Sequence, residues 1–282
     1  MVDEQRADFI RESMRRSWAT RGRAYAEEAA PNTAAHTAAL LEIVPVRSGE
    51  RVLDVATGPG VVAVAAARLV GPAGRVLATD LAPEWEPLVA ERAAAAGVAN
   101  VAFRAMDGGA LDLPDGSFDV AYCQFGLMFV PQPVQALREM RRVLRPGGRL
   151  GVVVWSTEDK ALCFAVLNRH LRGVVPPAPP GQELPTPVTL GEPGLVEGLV
   201  ASAGFGDVRV QRRTLDYVSS SPDNLWRARV EDGPLNVREA VGALSPPEKA
   251  QLKSAVFAGL APYVRAGVVR LPSEAIYVAA VA

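Results

Sequence analysis

The sequence predicts an α/β protein whose core is a doubly wound, largely parallel sheet. Two observations carry this prediction. Between residues 51 and 155, apolar segments of strand length alternate with apolar segments of helical length, and glycine or proline ends most of the longer ones. A helix between two strands returns the chain to the same edge of a sheet, so the strands run parallel. The expected strands are 51–56, 75–80, 101–105, 118–124 and 149–155, and the expected helices are 61–70, 84–96 and 133–144.

The N-terminal segment is expected to be helical over residues 3–44. Ile10, Met14 and Trp18 recur every four residues, which is the spacing of one helix face. Pro31-Asn32-Thr33 should separate two helices, because proline breaks a helix and a polar side chain can cap the next one. The arginines of the first helix are expected to form a solvated face. They are Arg11, Arg15, Arg16, Arg21 and Arg23.

The alternating pattern ends after residue 156. Only 208–217 and 275–281 have the pattern of further strands, and the segments between them are Pro-rich or helical. We interpret 157–203 and 219–263 as insertions that cap one edge of the sheet. Apolar side chains in these insertions are expected to line an acceptor pocket. They are Phe164, Leu167, Leu225, Trp226, Phe257 and Leu260.

Composition excludes several classes of protein. The chain has 282 residues, with 30 basic against 31 acidic side chains, which disfavours an electrostatic nucleic-acid binder. A hydrophobic content of 49% excludes a disordered chain, and the length suits a single domain with insertions. Lysine occurs only at positions 160, 249 and 253, so arginine supplies nearly all basic residues, a bias typical of high-GC bacterial genomes.

Cysteine usage and the N-terminus indicate a cytoplasmic protein. Cys123 and Cys163 are too few for a disulfide framework and lack the spacing of a zinc site, so no metal is expected. The charged start at residues 1–6 lacks the apolar core of a signal peptide. The longest apolar runs, such as 61–67 and 150–155, are far too short to span a membrane.

A ligand site is predicted at the turn between the first strand and its helix. There Asp54 is followed by Thr57, Gly58 and Gly60, and glycines at such a turn let the backbone approach a ligand closely. In open α/β sheets, ligands bind at the carboxyl ends of the strands. The motif alone is ambiguous, because Gly58 to Ala63 also fits the G-x-G-x-x-A pattern of dinucleotide-binding proteins.

Carboxylates at the ends of three strands narrow the choice of ligand. Asp54 at the first strand suits an ammonium group and would repel a pyrophosphate. Asp80 ends the second strand, where an acid can accept both hydroxyls of a ribose. Met106 and Asp107 follow the third strand and suit adenine, with the carboxylate on the exocyclic amine and the thioether on the ring face.

Together these residues resemble the class I S-adenosylmethionine-dependent methyltransferases, most strongly the branch of small-molecule and ubiquinone/menaquinone C-methyltransferases. The last matching stretch is the most specific, because a helix ending in Leu-Arg-Pro-Gly-Gly before strand five is typical of this family and not of NAD enzymes. The resemblance covers about residues 45–156. The matching stretches are 49–60, 78–83, 106–119 and 137–148.

The resemblance implies a Rossmann-like sheet of seven strands in the order 3-2-1-4-5-7-6, with strand seven antiparallel. It also implies S-adenosyl-L-methionine as cofactor, a helical lid over 1–44, a cofactor-binding half over 45–156, and closing strands within 204–218 and 264–282. Tyr25 on the lid could face the sulfonium as a cation–π partner, although core packing explains it equally well. The implied cofactor-binding residues are Asp54, Thr57, Gly58, Gly60, Asp80, Leu81, Met106, Asp107, Gly108, Gln124, Phe125 and Tyr25.

The implied activity is methyl transfer to oxygen or carbon, and less favourably nitrogen, of a small, largely apolar or aromatic metabolite. Nucleic acid is disfavoured because Gln124-Phe125-Gly126 replaces the Asn/Asp-Pro-Pro-Tyr/Phe motif of base methyltransferases. There are two alternatives. One is a cofactor-binding protein that transfers no methyl group, either a cyclase-type catalyst or a non-catalytic partner, and the other is an NAD-binding oxidoreductase. The candidates for a general base are His36 and His170, although a lone histidine on an apolar helix face is usually a core residue.

Overall fold

The computed structural model describes residues 4–28 and 30–282. Within them, eight strands form one sheet in which seven lie in the order β3-β2-β1-β4-β5-β8-β6, while the two-residue β7 pairs with β8. The strands are β1 Arg51–Val55, β2 Arg75–Asp80, β3 Val101–Ala105, β4 Phe118–Gln124, β5 Leu144–Trp155, β6 Gly206–Ser219, β7 Val264–Arg265 and β8 Val268–Val281.

Strand directions confirm the expected α/β architecture. The pairs β1–β2, β1–β4, β2–β3 and β4–β5 are parallel, whereas β8 runs antiparallel to both β5 and β6. β8 is therefore the expected antiparallel seventh strand, lying between the fifth and the sixth. The additional β7 is a short hairpin arm that folds back on Val268 and Val269.

The helices that cover the sheet contact one another in two groups. The second helix contacts the third, and the third contacts the fourth, while the fifth contacts the seventh. The first helix crosses the turn at Pro83–Trp85 and so lies near the carboxyl end of β2. The helices are α1 Glu4–Glu28, α2 Ala30–Ile43, α3 Val61–Val70, α4 Glu86–Ala95, α5 Pro133–Val143, α6 Leu162–Leu171, α7 Leu195–Ser202, α8 Pro222–Trp226, α9 Leu235–Gly242 and α10 Pro246–Leu260.

Three boundaries differ from the sequence-based expectation. Pro31 lies inside the first turn of α2, where its missing N–H costs no helical hydrogen bond, so the helix starts before the expected break. β5 starts at Leu144, which pairs with Phe118 of β4, and the pairing resumes with Arg149 opposite Val120. The extra residues between them form a bulge in which Gly147 has a φ of 75°. β8 begins at Val268, since β6 pairs with it over nearly its whole length.

The insertions pack differently from what the sequence led us to expect. α6 contacts α10 and β8, and α8 contacts α10, β6 and β8. Leu225, Trp226 and Leu260 are fully buried in this packing, at 0%, 1% and 0% exposure. None of the six apolar side chains expected to line an acceptor pocket belongs to the lining of the large cavity described below. These side chains close the hydrophobic core at the β6–β8 edge instead.

Other features of the described chain concern membranes, metals and thiols. No helix in it is both long and apolar enough to cross a membrane. No group of three or more potential metal ligands occurs among the same residues. Cys123 and Cys163 are buried free thiols, and burial raises the pKa of Cys123 to about 12, so this thiol stays protonated.

Candidate functional site

A large open cavity lies at the carboxyl ends of β1, β2, β3 and β4, where ligands bind in open α/β sheets. The empty space within it is about 990 Å³, a figure that includes the open solvent at its mouth. Of the predicted cofactor-binding residues, all but Gly60 line it. They are Tyr25, Asp54, Thr57, Gly58, Asp80, Leu81, Met106, Asp107, Gly108, Gln124 and Phe125.

Gly60 shapes the turn without reaching the cavity. It precedes α3 with a φ of 77°, a conformation that glycine adopts without strain. A Cβ at this position would lie 3.2 Å from the Val89 side chain. Gly60 therefore allows α3 to pack against α4, and this packing holds the loop from Asp54 to Gly58 in place.

Asp54 is a buried carboxylate at the end of β1, with 1% exposure. Its Oδ2 accepts hydrogen bonds from the Thr57 hydroxyl at 2.5 Å and from the Ala63 backbone N–H at 3.0 Å. Burial nevertheless raises the pKa of Asp54 to about 7, because two hydrogen bonds replace little of the lost hydration. A cation bound in the cavity would favour the ionised carboxylate.

Asp80 ends β2 and organises the loop that follows β1. Oδ2 accepts the Gly58 backbone N–H at 2.9 Å, and Oδ1 accepts the Ala82 N–H at 3.1 Å. Burial raises its pKa to about 6 against these hydrogen bonds. The carboxylate thus fixes two backbone segments while it lines the cavity.

Asp107 follows β3 and is engaged on both oxygens. Oδ1 accepts the Gly109 N–H at 2.8 Å, and Oδ2 forms an ion pair with Arg11 Nε of α1 at 2.6 Å. Arg11 itself lines the cavity. Arg11 is therefore an exception to the expectation that the arginines of α1 mostly form a solvated face, and its partner lies about 100 residues away in sequence.

Aromatic side chains of α1 form the roof of the cavity. Trp18 contacts the rings of Tyr25 at 5.2 Å, Phe129 at 5.4 Å and Trp85 at 6.4 Å between centroids. Trp85 also contacts Tyr25 at 6.0 Å and is 2% exposed. The helix is therefore held over the cavity by ring contacts as well as by the Arg11–Asp107 pair. Trp18 belongs to the apolar stripe that the sequence predicted for this helix.

Backbone strain occurs where β1 and β4 end. Ala56 and Phe125 have φ values of 55° and 56°, in the left-handed region that non-glycine residues rarely adopt. Both residues line the cavity. Such strain persists only where surrounding structure enforces it, and it is concentrated at functional sites. Here the Phe125 ring stacks on Trp155 at 4.3 Å, and the preceding Gln124 donates from Nε2 to the Thr37 hydroxyl at 2.9 Å.

Neither histidine lies in the cavity lining. His36 is 2% exposed and its Nδ1 lies 2.6 Å from the Tyr277 hydroxyl, while burial lowers its pKa to about 4. His170 faces Gly259 of α10, where an added Cβ would lie 3.0 Å from Nε2. The geometry gives no support to either candidate as a general base. His36 is a neutral core residue packed among Phe125, Trp155 and Tyr277.

The strand order and the carboxylates at three strand ends agree with the Rossmann-like arrangement expected from the sequence. A family model described as a methyltransferase domain matches residues 52–148. Over this region the chain is similar to the class I S-adenosylmethionine-dependent methyltransferases, among them ubiquinone/menaquinone C-methyltransferases, and this similarity supports S-adenosyl-L-methionine as the cofactor.

Two relatives illustrate the match. The ubiquinone/menaquinone biosynthesis C-methyltransferase UbiE of Azotobacter vinelandii is 40% identical over 137 residues, covering 48% of this chain and 54% of that enzyme. The enzyme of the same name from Pseudomonas entomophila is 43% identical over the same proportions. The chain thus matches about half the length of these relatives.

Solved structures share the fold at low sequence identity. The YcgJ protein of Bacillus subtilis has a TM-score of 0.57 and 19% identity, covering 88% of this chain and 98% of its own. The [4+2]-cyclase SpnF has a TM-score of 0.51 and 22% identity, covering 88% of this chain and 80% of its own. At these identities the likeness concerns the fold alone.

Proposed function

We propose that this protein transfers a methyl group from S-adenosylmethionine to a small, largely apolar or aromatic molecule. The observation that carries the proposal is the convergence of Asp54, Asp80 and Asp107, from three consecutive parallel strands, on one cavity. A dinucleotide would bring a pyrophosphate to the turn after β1, next to the buried Asp54, which would repel it. This electrostatic argument, with the family match, disfavours the NAD-dependent alternative.

Each carboxylate has a separate proposed role in holding the cofactor. Asp54 would accept the ammonium of the methionine part, Asp80 the ribose hydroxyls, and Asp107 the exocyclic amine of adenine. Met106 and Leu81 lie beside these groups and offer apolar surface to the nucleoside. The Arg11 side chain now holds Asp107 Oδ2, so it would have to release that oxygen when adenine arrives.

The acceptor would occupy the part of the cavity beyond the strand ends. Tyr25, Thr33, Phe125 and Phe129 line the cavity and would offer the acceptor mostly apolar surface with a few polar atoms. S-adenosylmethionine supplies an electrophilic methyl group when bound, and the chain's own residues would orient the acceptor and exclude water. Positioning of this kind can lower a barrier by about 7–11 kcal/mol.

Oxygen or carbon is the favoured accepting atom, with nitrogen third. The described lining of the cavity holds no histidine, so proton removal would depend on an acceptor that ionises readily, such as a phenol or an enol. An acidic acceptor needs little help from a base. An aliphatic amine is mostly protonated near neutral pH and would have to lose a proton before it could attack, which places nitrogen third.

The test is a screen with S-adenosylmethionine labelled in the methyl group, using phenols, enolisable quinone precursors, RNA, DNA and protein as acceptors. We expect label in a small molecule, lost in the Asp80→Ala variant and retained in Asp112→Ala, whose carboxylate is solvent-exposed. Label found only in a macromolecule would contradict the small-molecule assignment. Cofactor binding without any transfer would favour the cyclase-type or non-catalytic alternative, a reading that the SpnF fold makes concrete.

A further inference from the structure

A small group of polar side chains from α2 and from the end of β4 lies on one side of the large cavity. Thr33 of α2 and Gln124 of β4 line the cavity, and Thr37 lies one helical turn further along α2. Both threonines are buried, on a helix whose other residues are mostly apolar. Buried polar groups are nearly always paired, so the partners of these three side chains decide what they can offer a ligand.

The sheet register shows how far Gln124 extends into the cavity. Asp54 of β1 lies opposite Tyr122 of β4, and the two strands are parallel. Gln124 therefore lies two residues, or about 6–7 Å, further towards the carboxyl edge of the sheet than Asp54. Its side chain points to the same face of β4 as Tyr122, whose hydroxyl donates to the Val44 carbonyl oxygen just after α2.

The hydrogen bonds of the Gln124 amide fix the way it faces. Nε2 lies 2.9 Å from the Thr37 hydroxyl and 3.4 Å from the Thr33 carbonyl oxygen. Turning the amide over would place Oε1 against that carbonyl oxygen, so that two acceptors would face each other. Nε2 is therefore directed towards α2, where each of its two hydrogens has an acceptor.

The amide oxygen of Gln124 keeps an unused acceptor site. Within residues 4–28 and 30–282, the Thr37 hydroxyl, at 3.1 Å, is the one hydrogen-bond partner of Oε1. This hydroxyl has a single hydrogen, and the Thr33 carbonyl oxygen competes for it, also at 3.1 Å. An amide oxygen can accept two hydrogen bonds, so at least one site on Oε1 stays open.

The Thr33 hydroxyl is limited in the same way. It donates its hydrogen to the Ala30 carbonyl oxygen at 2.8 Å, which leaves only its lone pairs for a ligand. The side chains of Thr33 and Gln124 therefore offer the cavity hydrogen-bond acceptors and no donors. A ligand group that carries a hydrogen, such as a hydroxyl, matches them. An ether, a carbonyl or a carboxylate brings only lone pairs and would leave Oε1 without a partner.

The ammonium of the cofactor is another possible donor to Oε1, and the resemblance to methyltransferases implied Gln124 as a cofactor contact. The position of the amide favours the acceptor instead. The three proposed cofactor contacts are carboxylates at the ends of β1, β2 and β3, whereas β4 ends in a neutral amide that α2 orients. Asp54 supplies the negative charge that an ammonium needs, at a level two residues below Gln124.

A hydroxyl bound to an amide oxygen does not become the nucleophile easily. The hydrogen bond stabilises the neutral hydroxyl, whereas the lone pairs of the amide oxygen would repel the anion. A hydroxyl held by Gln124 should therefore stay protonated. The atom that attacks the methyl group must then be a different atom of the same molecule.

We propose that Gln124 is a specificity-determining residue that binds, through Oε1, a hydroxyl group which the methyl acceptor keeps during the reaction. This inference rests on the proposed function, because the hydroxyl belongs to the molecule that receives the methyl group. The acceptor class is a small aromatic or enolic molecule with one hydroxyl in addition to the oxygen or carbon that is methylated. Tyr25 and Phe125 line the same cavity and suit the ring of such a molecule.

The test compares ligands that differ in one hydrogen-bond donor. Catechol, resorcinol and hydroquinone, each paired with its monomethyl ether, are titrated by calorimetry into protein saturated with S-adenosylhomocysteine. The members of a pair share a ring and one hydroxyl, and the three pairs cover three distances between the oxygens. We expect at least one of the diols to bind about three- to tenfold more tightly than its ether.

Two variants and one control connect this preference to the amide. Gln124→Met keeps the length of the side chain without the amide, so it should bind both members of that pair with nearly equal affinity. It should fold, because the Thr37 hydroxyl still has the Thr33 carbonyl oxygen as acceptor. Gln135→Met, on the exposed side of α5, is the matched control and should keep the preference. Thr37→Val removes one anchor of the amide and should reduce the preference at least about twofold. It decides the question if Gln124→Met fails to fold.

Several results would overturn the proposal. Equal affinities within all three pairs, or no binding by any probe, would contradict it, as would a preference that persists in Gln124→Met. The affinity of Gln124→Met for S-adenosylmethionine should stay within about threefold of the unaltered protein. A loss larger than about tenfold would assign Oε1 to the cofactor and reject the acceptor role.

The failure of this inference can be distinguished from failure of the proposed function. A preference for the diol that depends on Gln124, with no methyl transfer in the labelled screen, would retain the hydroxyl site and reject the transferase. Methyl transfer at equal rates to the diols and to their monomethyl ethers would retain the transferase and reject the role of Gln124.

Discussion

The two walls of the large cavity are built in different ways. The cofactor wall consists of the strand ends that carry Asp54, Asp80 and Asp107, and each side chain is fixed by backbone N–H groups of its own or the adjacent loop. The opposite wall is the helix α1, which is held by aromatic contacts and by one ion pair to Asp107. The first wall is part of the sheet, whereas the second is a separate element laid over it.

This difference has a consequence for stability and for motion. Breaking a hydrogen bond to a buried carboxylate leaves the carboxylate and its N–H donor unpaired, which is costly. The cofactor wall should therefore stay rigid. Ring contacts and an ion pair that is about a quarter exposed contribute less and can exchange for contacts with a ligand. We therefore expect substitutions in the cofactor wall to change cofactor affinity strongly, and substitutions in the α1 wall to change it weakly.

The largest effect should come from Asp80→Ala. The variant removes the proposed ribose acceptor and leaves the N–H groups of Gly58 and Ala82 without their carboxylate. Loss of a charged hydrogen bond costs about 1.5–3 kcal/mol, so the affinity for S-adenosylmethionine should fall about ten- to hundredfold. Calorimetry on the folded variant measures this. Unchanged affinity would show that the cofactor wall is not where the ribose lies.

His36→Leu should affect stability and leave catalysis nearly intact. His36 pairs with the Tyr277 hydroxyl inside the core, and its removal leaves that hydroxyl buried and unpaired, at a cost of about 1–3 kcal/mol. Denaturant unfolding should show this loss, while the turnover of the folded variant should stay within about threefold of the unaltered enzyme. A loss of turnover larger than a hundredfold without loss of stability would make His36 catalytic and overturn its assignment to the core.

The pH dependence of cofactor binding should be controlled by Asp54. Its pKa of about 7 in the free protein means that the carboxyl group is largely protonated at pH 6. An ammonium group requires the ionised form, so affinity should rise by up to about tenfold per pH unit below 7 and level off above it. Binding at pH 6 should also release a proton, which calorimetry in buffers of different ionisation enthalpy detects. Asp54→Asn should bind weakly with no such pH dependence.

Asp54 and His36 should contribute to the pH dependence of the free energy of unfolding with opposite signs. The folded pKa of Asp54 lies above the unfolded value, so the folded state retains a proton between about pH 4 and 7 and loses stability as pH rises there. His36, with its pKa lowered to about 4, gains stability over nearly the same range. Asp80, whose pKa is raised to about 6, contributes a slope of the same sign as Asp54 between about pH 4 and 6. These slopes oppose that of His36, and comparison of the unaltered protein with Asp54→Asn isolates the contribution of Asp54.

The cofactor wall was predictable from sequence because its signals are local. Asp54 and Gly58 lie in one turn, and Asp80 and Asp107 follow recognisable strands, so their positions require only that the strands be parallel and adjacent. The periodic apolar pattern was sufficient to predict that these strands are parallel and adjacent. Asp54's raised pKa could not be anticipated, because it depends on burial under α3 and not on the residues next to it in sequence.

The α1 wall was not predictable in the same way. Arg11 and Arg21 belong to a helix with a thin apolar stripe, and that pattern suggests a solvated face. Their partners are Asp107, which follows β3, and the Trp18 ring of the helix itself. A basic residue every few positions looks the same in sequence whether it faces water or the interior.

Arg11→Gln should have the smallest effect, and its sign distinguishes the two walls. The ion pair between Arg11 Nε and Asp107 Oδ2 is about a quarter exposed on both sides, so it contributes at most about 1 kcal/mol. If adenine takes that oxygen, the pair must break first, and its loss should raise cofactor affinity up to about fivefold. A matched change, Arg15→Gln, removes an exposed pair with Glu12 and should leave affinity unchanged. A fall in affinity in Arg11→Gln would mean that Arg11 holds the cofactor directly, and α1 would then belong to the cofactor wall.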